Sequence, residues 1–210
     1  LFASVVALAA LPLFANVRLE NEKLAVEFDD SGNLVSLKNK VSGEDYAGGQ
    51  GLWRAIYQQN ELLEEPVESE SVPVKVGRKS ENSATLSYGG EFPVEVLCTL
   101  EPEEVRFSAK ISNNSKNKIL REFQFPMIKN AGVPQNAQYV NSGGGGTFVP
   151  DFYRYVKGAQ TQYKSQDNVA VERYAPYPIS RTMNMFAIQN PKGSLYFASL
   201  DPNYELTLHL

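Results

Sequence analysis

The side chains that most often carry catalysis are scarce in this chain. One histidine, His209, and one cysteine, Cys98, occur in 210 residues, so a Ser-His-Asp or Cys-His arrangement would have to rest on His209 alone. A zinc site made of the usual His and Cys ligands is excluded on count. Carboxylates are plentiful, with 24 Asp and Glu, and glycoside hydrolysis needs two of them facing each other at a defined separation. Sequence alone fixes no such separation. Neither Asp29-Asp30 nor Glu103-Glu104 qualifies, because neighbours on a strand point to opposite faces; solvated turns are their natural home. Asp29-Asp30-Ser31-Gly32-Asn33 has some calcium-loop composition, but strands flank it and it is too short, which favours a hairpin turn. The acidic stretch from Glu61 to Pro73 lacks the Asp, Asn and Gly offsets of a cation loop and reads as a solvated connection. No catalytic residue, metal ligand or cofactor follows from these residues.

A binding role has more support. In Asn141 to Tyr155, NSGGGGTFVPDFYRY, the glycines Gly143 to Gly146 have no phosphate-cradle spacing and no following Lys-Ser, so they read as a mobile loop and not a nucleotide site. Aromatic residues follow: Phe148, Phe152, Tyr153 and Tyr155, then Tyr163, Tyr174 and Tyr177, with Pro150, Pro176 and Pro178 between them. Sugar rings present flat apolar faces that stack on such side chains, and partner domains use the same ones. Phe148, Phe152, Tyr153, Tyr155, Tyr174 and Tyr177 are therefore candidates for a carbohydrate platform or a domain interface. Aromatic enrichment alone favours the interface, because a sugar platform needs a particular geometry as well. The single tryptophan, Trp53, alternates with Leu52 and Arg54 and reads as core.

These candidates must be held by strands. The dominant hydrophobic period is two, over Val17–Leu19, Leu24–Phe28, Leu34–Lys38, Leu52–Tyr57, Val74–Val76, Ala84–Tyr88, Val94–Leu100, Val105–Ile111, Ile119–Phe125, Gln138–Val140, Met185–Gln189, Leu195–Leu200 and Tyr204–Leu210. Turn signals separate them, including Asp30-Ser31-Gly32-Asn33, Ser42-Gly43, Tyr88-Gly89-Gly90 and Asn190-Pro191-Lys192-Gly193. The expected fold is all-β, a large antiparallel β-sandwich. In VRFSAKIS, Val105, Phe107, Ala109 and Ile111 fall on one face and Arg106, Ser108, Lys110 and Ser112 on the other, wet one. Cys98 shares a face with Val94 and Val96 and is expected in the core. A net charge of -4 with mixed signs supplies no basic stripe for nucleic acid and no polybasic membrane patch.

Leu1 to Leu13 is apolar, uncharged and too short to cross a bilayer core of about 30 Å. It reads as the remnant of a signal peptide over residues 1–15, with Asn16 opening a mature domain over 16–210 and no membrane span. The last strand pattern stops abruptly, so the expectation is a truncated sandwich from a longer chain. Export with one buried thiol suits a bacterial envelope: periplasmic, outer-membrane-associated or extracellular.

The stretch LENEKLAVEFDDSGNLVSLKNKVSGEDY (Leu19 to Tyr46), followed by GLWR (Gly51 to Arg54), resembles the N-terminal galactose-mutarotase-like β-sandwich, or supersandwich, of secreted bacterial glycoside hydrolases. NPKGSLYFAS (Asn190 to Ser199) is compatible with it as a pattern. The resemblance implies a non-catalytic domain that packs on a C-terminal (β/α)8 barrel of the same chain, where the catalytic carboxylates lie, and that contributes to binding a polysaccharide or oligosaccharide. True mutarotases use a mid-chain histidine, which is missing here, so no catalytic residue is carried over. The alternative is a stand-alone envelope β-sandwich that binds glycan without enzymatic activity; a structural or assembly protein is a third.

Overall fold

In a computed structural model, the described residues are 16–49, 51–60, 62–128, 136–143, 147–152, 174–175, 181–198 and 208–209. They are built from antiparallel strands, and the one helical element bounded among them is a 3-10 turn, Ser69–Ser71. The strands are β1 Val17–Glu20, β2 Leu24–Phe28, β3 Leu34–Asn39, β4 Arg54–Gln59, β5 Leu62–Leu63, β6 Val67–Glu68, β7 Val74–Ser80, β8 Ser83–Tyr88, β9 Val94–Leu100, β10 Val105–Ile111, β11 Lys118–Gln124, β12 Gln138–Gly143, β13 Thr147–Val149, β14 Tyr174–Ala175, β15 Arg181–Asn190, β16 Gly193–Ala198 and β17 Leu208–His209. The chain groups into two compact units, one of Leu1–Leu37 with Gly49–Ile128 and one of Lys38–Gly48 with Lys129–Leu210.

The first unit is a β-sandwich. One layer is the sheet β10-β9-β8-β7; the other is formed by β1-β2-β3 and by β11-β4-β5, with β6 also paired to β4. Burial follows the two-residue period where the sequence alternates. In β9, Val94, Val96, Cys98 and Leu100 are buried, and in β10 half-buried residues alternate with exposed ones. Edge-to-face ring contacts join the layers: Phe28 to Phe107, with centroids 6.4 Å apart, and Trp53 to Tyr88 at 5.4 Å, a geometry that aligns ring edge with ring face. Tyr57 stacks on Phe92 at 3.6 Å. The hairpin between β2 and β3 turns at Gly32, whose φ of +75° is costly for a residue with a Cβ. Asp29 caps this turn, its Oδ1 accepting from the Asn33 N–H at 2.8 Å and its Oδ2 from the Asn33 amide at 2.9 Å. The Tyr88 hydroxyl donates to the Gly32 carbonyl at 2.9 Å, tying turn to sheet.

Two expectations change here. The strand expected from Leu52 begins at Arg54. Leu52 and Trp53 are consecutive and both buried, because the segment before β4 is held from outside the ladder. The Met127 N–H donates to the Leu52 carbonyl at 2.8 Å, and the Ser69 N–H to the Trp53 carbonyl at 3.0 Å. Likewise, Glu61 to Pro73 is more than a connection, since β5, β6 and the Ser69–Ser71 turn all lie within it and both strands pair with β4. Two-residue strands are too short to show a period.

In the second unit the sheet order is β13-β12-β15-β16, all antiparallel. Its inner face carries a small aromatic core of Tyr139, Phe186 and Ile188 with Ala137 and Phe152. Tyr139 stacks on Phe152 at 4.9 Å and Phe186 on Phe197 at 4.8 Å. A separate two-stranded pair, β14 with β17, places Tyr174 opposite His209 in register.

Candidate functional site

Alternation gives the sheet of the second unit a second face, and cross-strand register says what lies on it. Directly paired residues share a face. Phe148 pairs with Val140, Val140 with Ala187, and Ala187 with Tyr196, so these four form one row across all four strands. Their neighbours Tyr139 and Ile188 point to the core. Phe148 and Tyr196, at the two ends of the row, are 55% and 58% exposed. Both edge strands of the sheet thus leave a large aromatic side chain open on the same face. Between them Val140 and Ala187 are half-buried, leaving a shallow floor between two raised rings.

The adjacent row is polar. Gln138 pairs with Gln189, and Gln189 with Ser194; the Gln189 amide donates to the Gln138 carbonyl at 3.1 Å. That bond uses one donor and one acceptor, so the Gln138 amide and the Gln189 carbonyl keep hydrogen-bonding capacity. On the other side of the aromatic row, Met185 pairs with Ala198, and the Tyr196 hydroxyl lies 3.6 Å from the Met185 sulfur. Every residue in these three rows is uncharged, in a chain of which 21% is Asp, Glu, Lys and Arg.

Gln138 and Gln189 also line an open depression of about 640 Å³, with Asn136, Pro150, Asp151, Asn190 and Pro191. Its wall at Asn190 is built by a long-range clasp. The Asn190 amide donates to Glu44 Oε1, and Asn190 Oδ1 accepts from the Lys192 and Gly193 N–H groups at 2.7 and 3.1 Å. Glu44 is fixed in turn by the Tyr46 hydroxyl at 2.7 Å. A Cβ on Gly193 would lie 3.0 Å from Ser42 Oγ and 3.2 Å from Glu44 Oε2, so the two turns pack closely there. Burial, and then the hydrogen bond and charge of Glu44, raise the pKa of Tyr46 well above that of a free phenol, keeping its hydroxyl a donor to Glu44.

The sequence-derived candidates divide. Phe148 stands exposed at the head of the row. Phe152 is 3% exposed and serves the core, its N–H donating to the Ala137 carbonyl at 2.9 Å. Tyr174 is in β14, where the backbone pairing is all that is described. Tyr153, Tyr155 and Tyr177 lie outside the described residues. Tyr196, Gln138 and Gln189 were not among the candidates. The signal for Tyr196 was present, since Leu195 and Phe197 facing inward would turn it outward, but its alignment with Phe148 depends on a register that spans four strands.

Acid-base chemistry finds no comparable geometry. Among the described residues, no three His, Cys, Asp or Glu side chains converge on one point. Glu64 and Glu91 do approach each other, but through Lys118, whose Nζ is 2.9 Å from one and 3.1 Å from the other. Hydrogen bonds to Glu64 and then Glu91 raise the lysine pKa, so both carboxylates are held against a stable cation. Among the described residues no helix is long and apolar enough to cross a membrane.

A comparison of the chain with protein-family models and with curated proteins finds no match to either.

Proposed function

We propose that this chain is a non-catalytic carbohydrate-recognition domain of an exported protein, and that the outer face of the β13-β12-β15-β16 sheet is its binding surface. The observation that carries this reading is the single cross-strand row ending in exposed Phe148 and Tyr196, set beside the Gln138-Gln189 amides and the depression they line. A sugar ring has apolar C–H faces and a rim of hydroxyls. Flat rings receive the first, and side-chain amides, which both donate and accept, receive the second. Binding of the whole chain to an array of polysaccharides tests the reading: retention on at least one, lost when Phe148 and Tyr196 are both replaced by Ala, supports it, and retention on none counts against it.

The accessory role beside a glycoside hydrolase barrel, implied by the resemblance of Leu19 to Arg54, gains support from a different surface. On the first unit Leu63, Gln58 and Ile119 form a row, and Leu63 and Ile119 are 68% and 60% exposed. Exposed aliphatic side chains with no sugar-stacking ring suit packing against another protein domain. The reading frame after Leu210 tests this part: alternating strands and helices are expected, and their absence would remove the barrel.

A further inference from the structure

Resting on the carbohydrate reading, we infer that the ligand is a linear, uncharged glycan of at least four sugar units, lying across the strands and not along them.

The direction comes from the register. Phe148 and Tyr196 sit on opposite edge strands of a four-stranded sheet, in one row. Three strand spacings separate them, about 14 Å. A sugar unit lengthens a linear chain by about 5 Å, close to one strand spacing. Units one and four of the same chain therefore meet the two rings, while units two and three cross the low floor of Val140 and Ala187. A mono- or disaccharide reaches one ring at a time. The right-handed twist of sheets, about 20° per strand, rotates one end of the row against the other, so a chain with some twist of its own follows it better than a flat ribbon.

The charge class comes from what flanks the row. Gln138, Gln189, Ser194, Met185 and Ala198, which flank the row, are all neutral, so none of them supplies a cation to a uronate or sulfate. Stripping water from such an anion without a partner is costly. Neutral hydroxyls lose less, because the amides replace their water.

The test is isothermal titration of the whole chain with oligosaccharide ladders of two to six units, from β-1,4-glucose, β-1,4-mannose, β-1,4-xylose and α-1,4-glucose, with polyuronates of matching length alongside. For at least one neutral ladder the affinity should rise about tenfold between two and four units, the worth of about 1.4 kcal/mol from the second ring, and then level off. Phe148→Ala and Tyr196→Ala should each bring the tetramer down to the dimer's affinity, while Phe148→Tyr and Tyr196→Phe, which keep the rings, should preserve the rise and exclude misfolding as the cause. Equal affinity for dimer and tetramer, or tighter binding of a polyuronate, overturns the inference while leaving carbohydrate binding standing. If no ladder and no polysaccharide binds, the underlying reading falls with it.

Discussion

Replacing Gly51 by Ala should destabilise the first unit severely, and the structure supplies the size of the effect. A Cβ at Gly51 would overlap Ser69 Oγ and lie 2.9 Å from Glu70 Cγ and Cδ. Ser69 cannot easily withdraw. It is 1% exposed, its N–H donates to the Trp53 carbonyl at 3.0 Å, and Glu70 Oε1 accepts from the Gly51 N–H at 2.9 Å. Overpacking of this kind costs about 1–3 kcal/mol, and losing one of these hydrogen bonds adds about 1 kcal/mol, so roughly 3 kcal/mol is expected. Trp53 reports on it directly, being the single tryptophan and 1% exposed: its emission should move to the red on unfolding in urea, at a lower midpoint in Gly51→Ala. Removing the hydroxyl in Gly51→Ala/Ser69→Ala should recover about 1 kcal/mol or more of the loss, because neighbouring sites couple. Gly77→Ala is the control. It replaces a glycine of the same unit, in β7, but nothing lies within 4 Å of the new Cβ, so no loss of stability is expected. A Gly51→Ala midpoint equal to that of the unaltered chain would refute the close approach of the Ser69–Ser71 turn to the segment before β4.

Other outcomes follow from the same packing. Burial pushes the Cys98 thiol up to about 12, so at pH 8 only about one molecule in ten thousand is thiolate, and a thiol reagent should label it only after denaturation; rapid native labelling would contradict its place in the core. Tyr57 is pushed up to about 12, by burial first and the charge of Glu91 second, and the thiol likewise. Both groups resist ionising when folded and ionise readily when unfolded, so stability should hold below pH 9 and fall progressively between pH 9 and 12; a stability rising over that window in urea melts would reverse the sign. Tyr88→Phe removes the donor to the Gly32 carbonyl and should cost about 1 kcal/mol, read as a shifted urea midpoint, while Glu44→Ala should loosen the Asn190 turn and weaken glycan binding more than Glu44→Gln, which keeps an acceptor for the asparagine amide.

Several strands were legible in the sequence: β2, β9 and β10 begin and end where the apolar pattern places them, and burial in β9 and β10 alternates with it. The pattern fails where something outside the ladder holds the chain. Leu52 and Trp53 are consecutive buried residues because Met127 and Ser69 bond their carbonyls, and β5 and β6 are too short to carry a period. The candidate site was legible only in part for a related reason. Composition pointed to aromatics after the glycine run, which found Phe148 but also Phe152, whose ring packs on Tyr139 in the core. A binding face depends on which residues from separate strands align, and the register that sets Phe148 in line with Tyr196 is a property of the pairing, not of either strand's sequence.

Affinity electrophoresis of the whole chain through gels containing neutral polysaccharides shows whether the face between Phe148 and Tyr196 binds carbohydrate. Retardation by at least one polysaccharide is expected, abolished in Phe148→Ala/Tyr196→Ala and unchanged in Leu63→Ala, which alters an exposed apolar residue of the first unit. Equal retardation of the unaltered chain and the double variant, or no retardation by any polysaccharide, would contradict it.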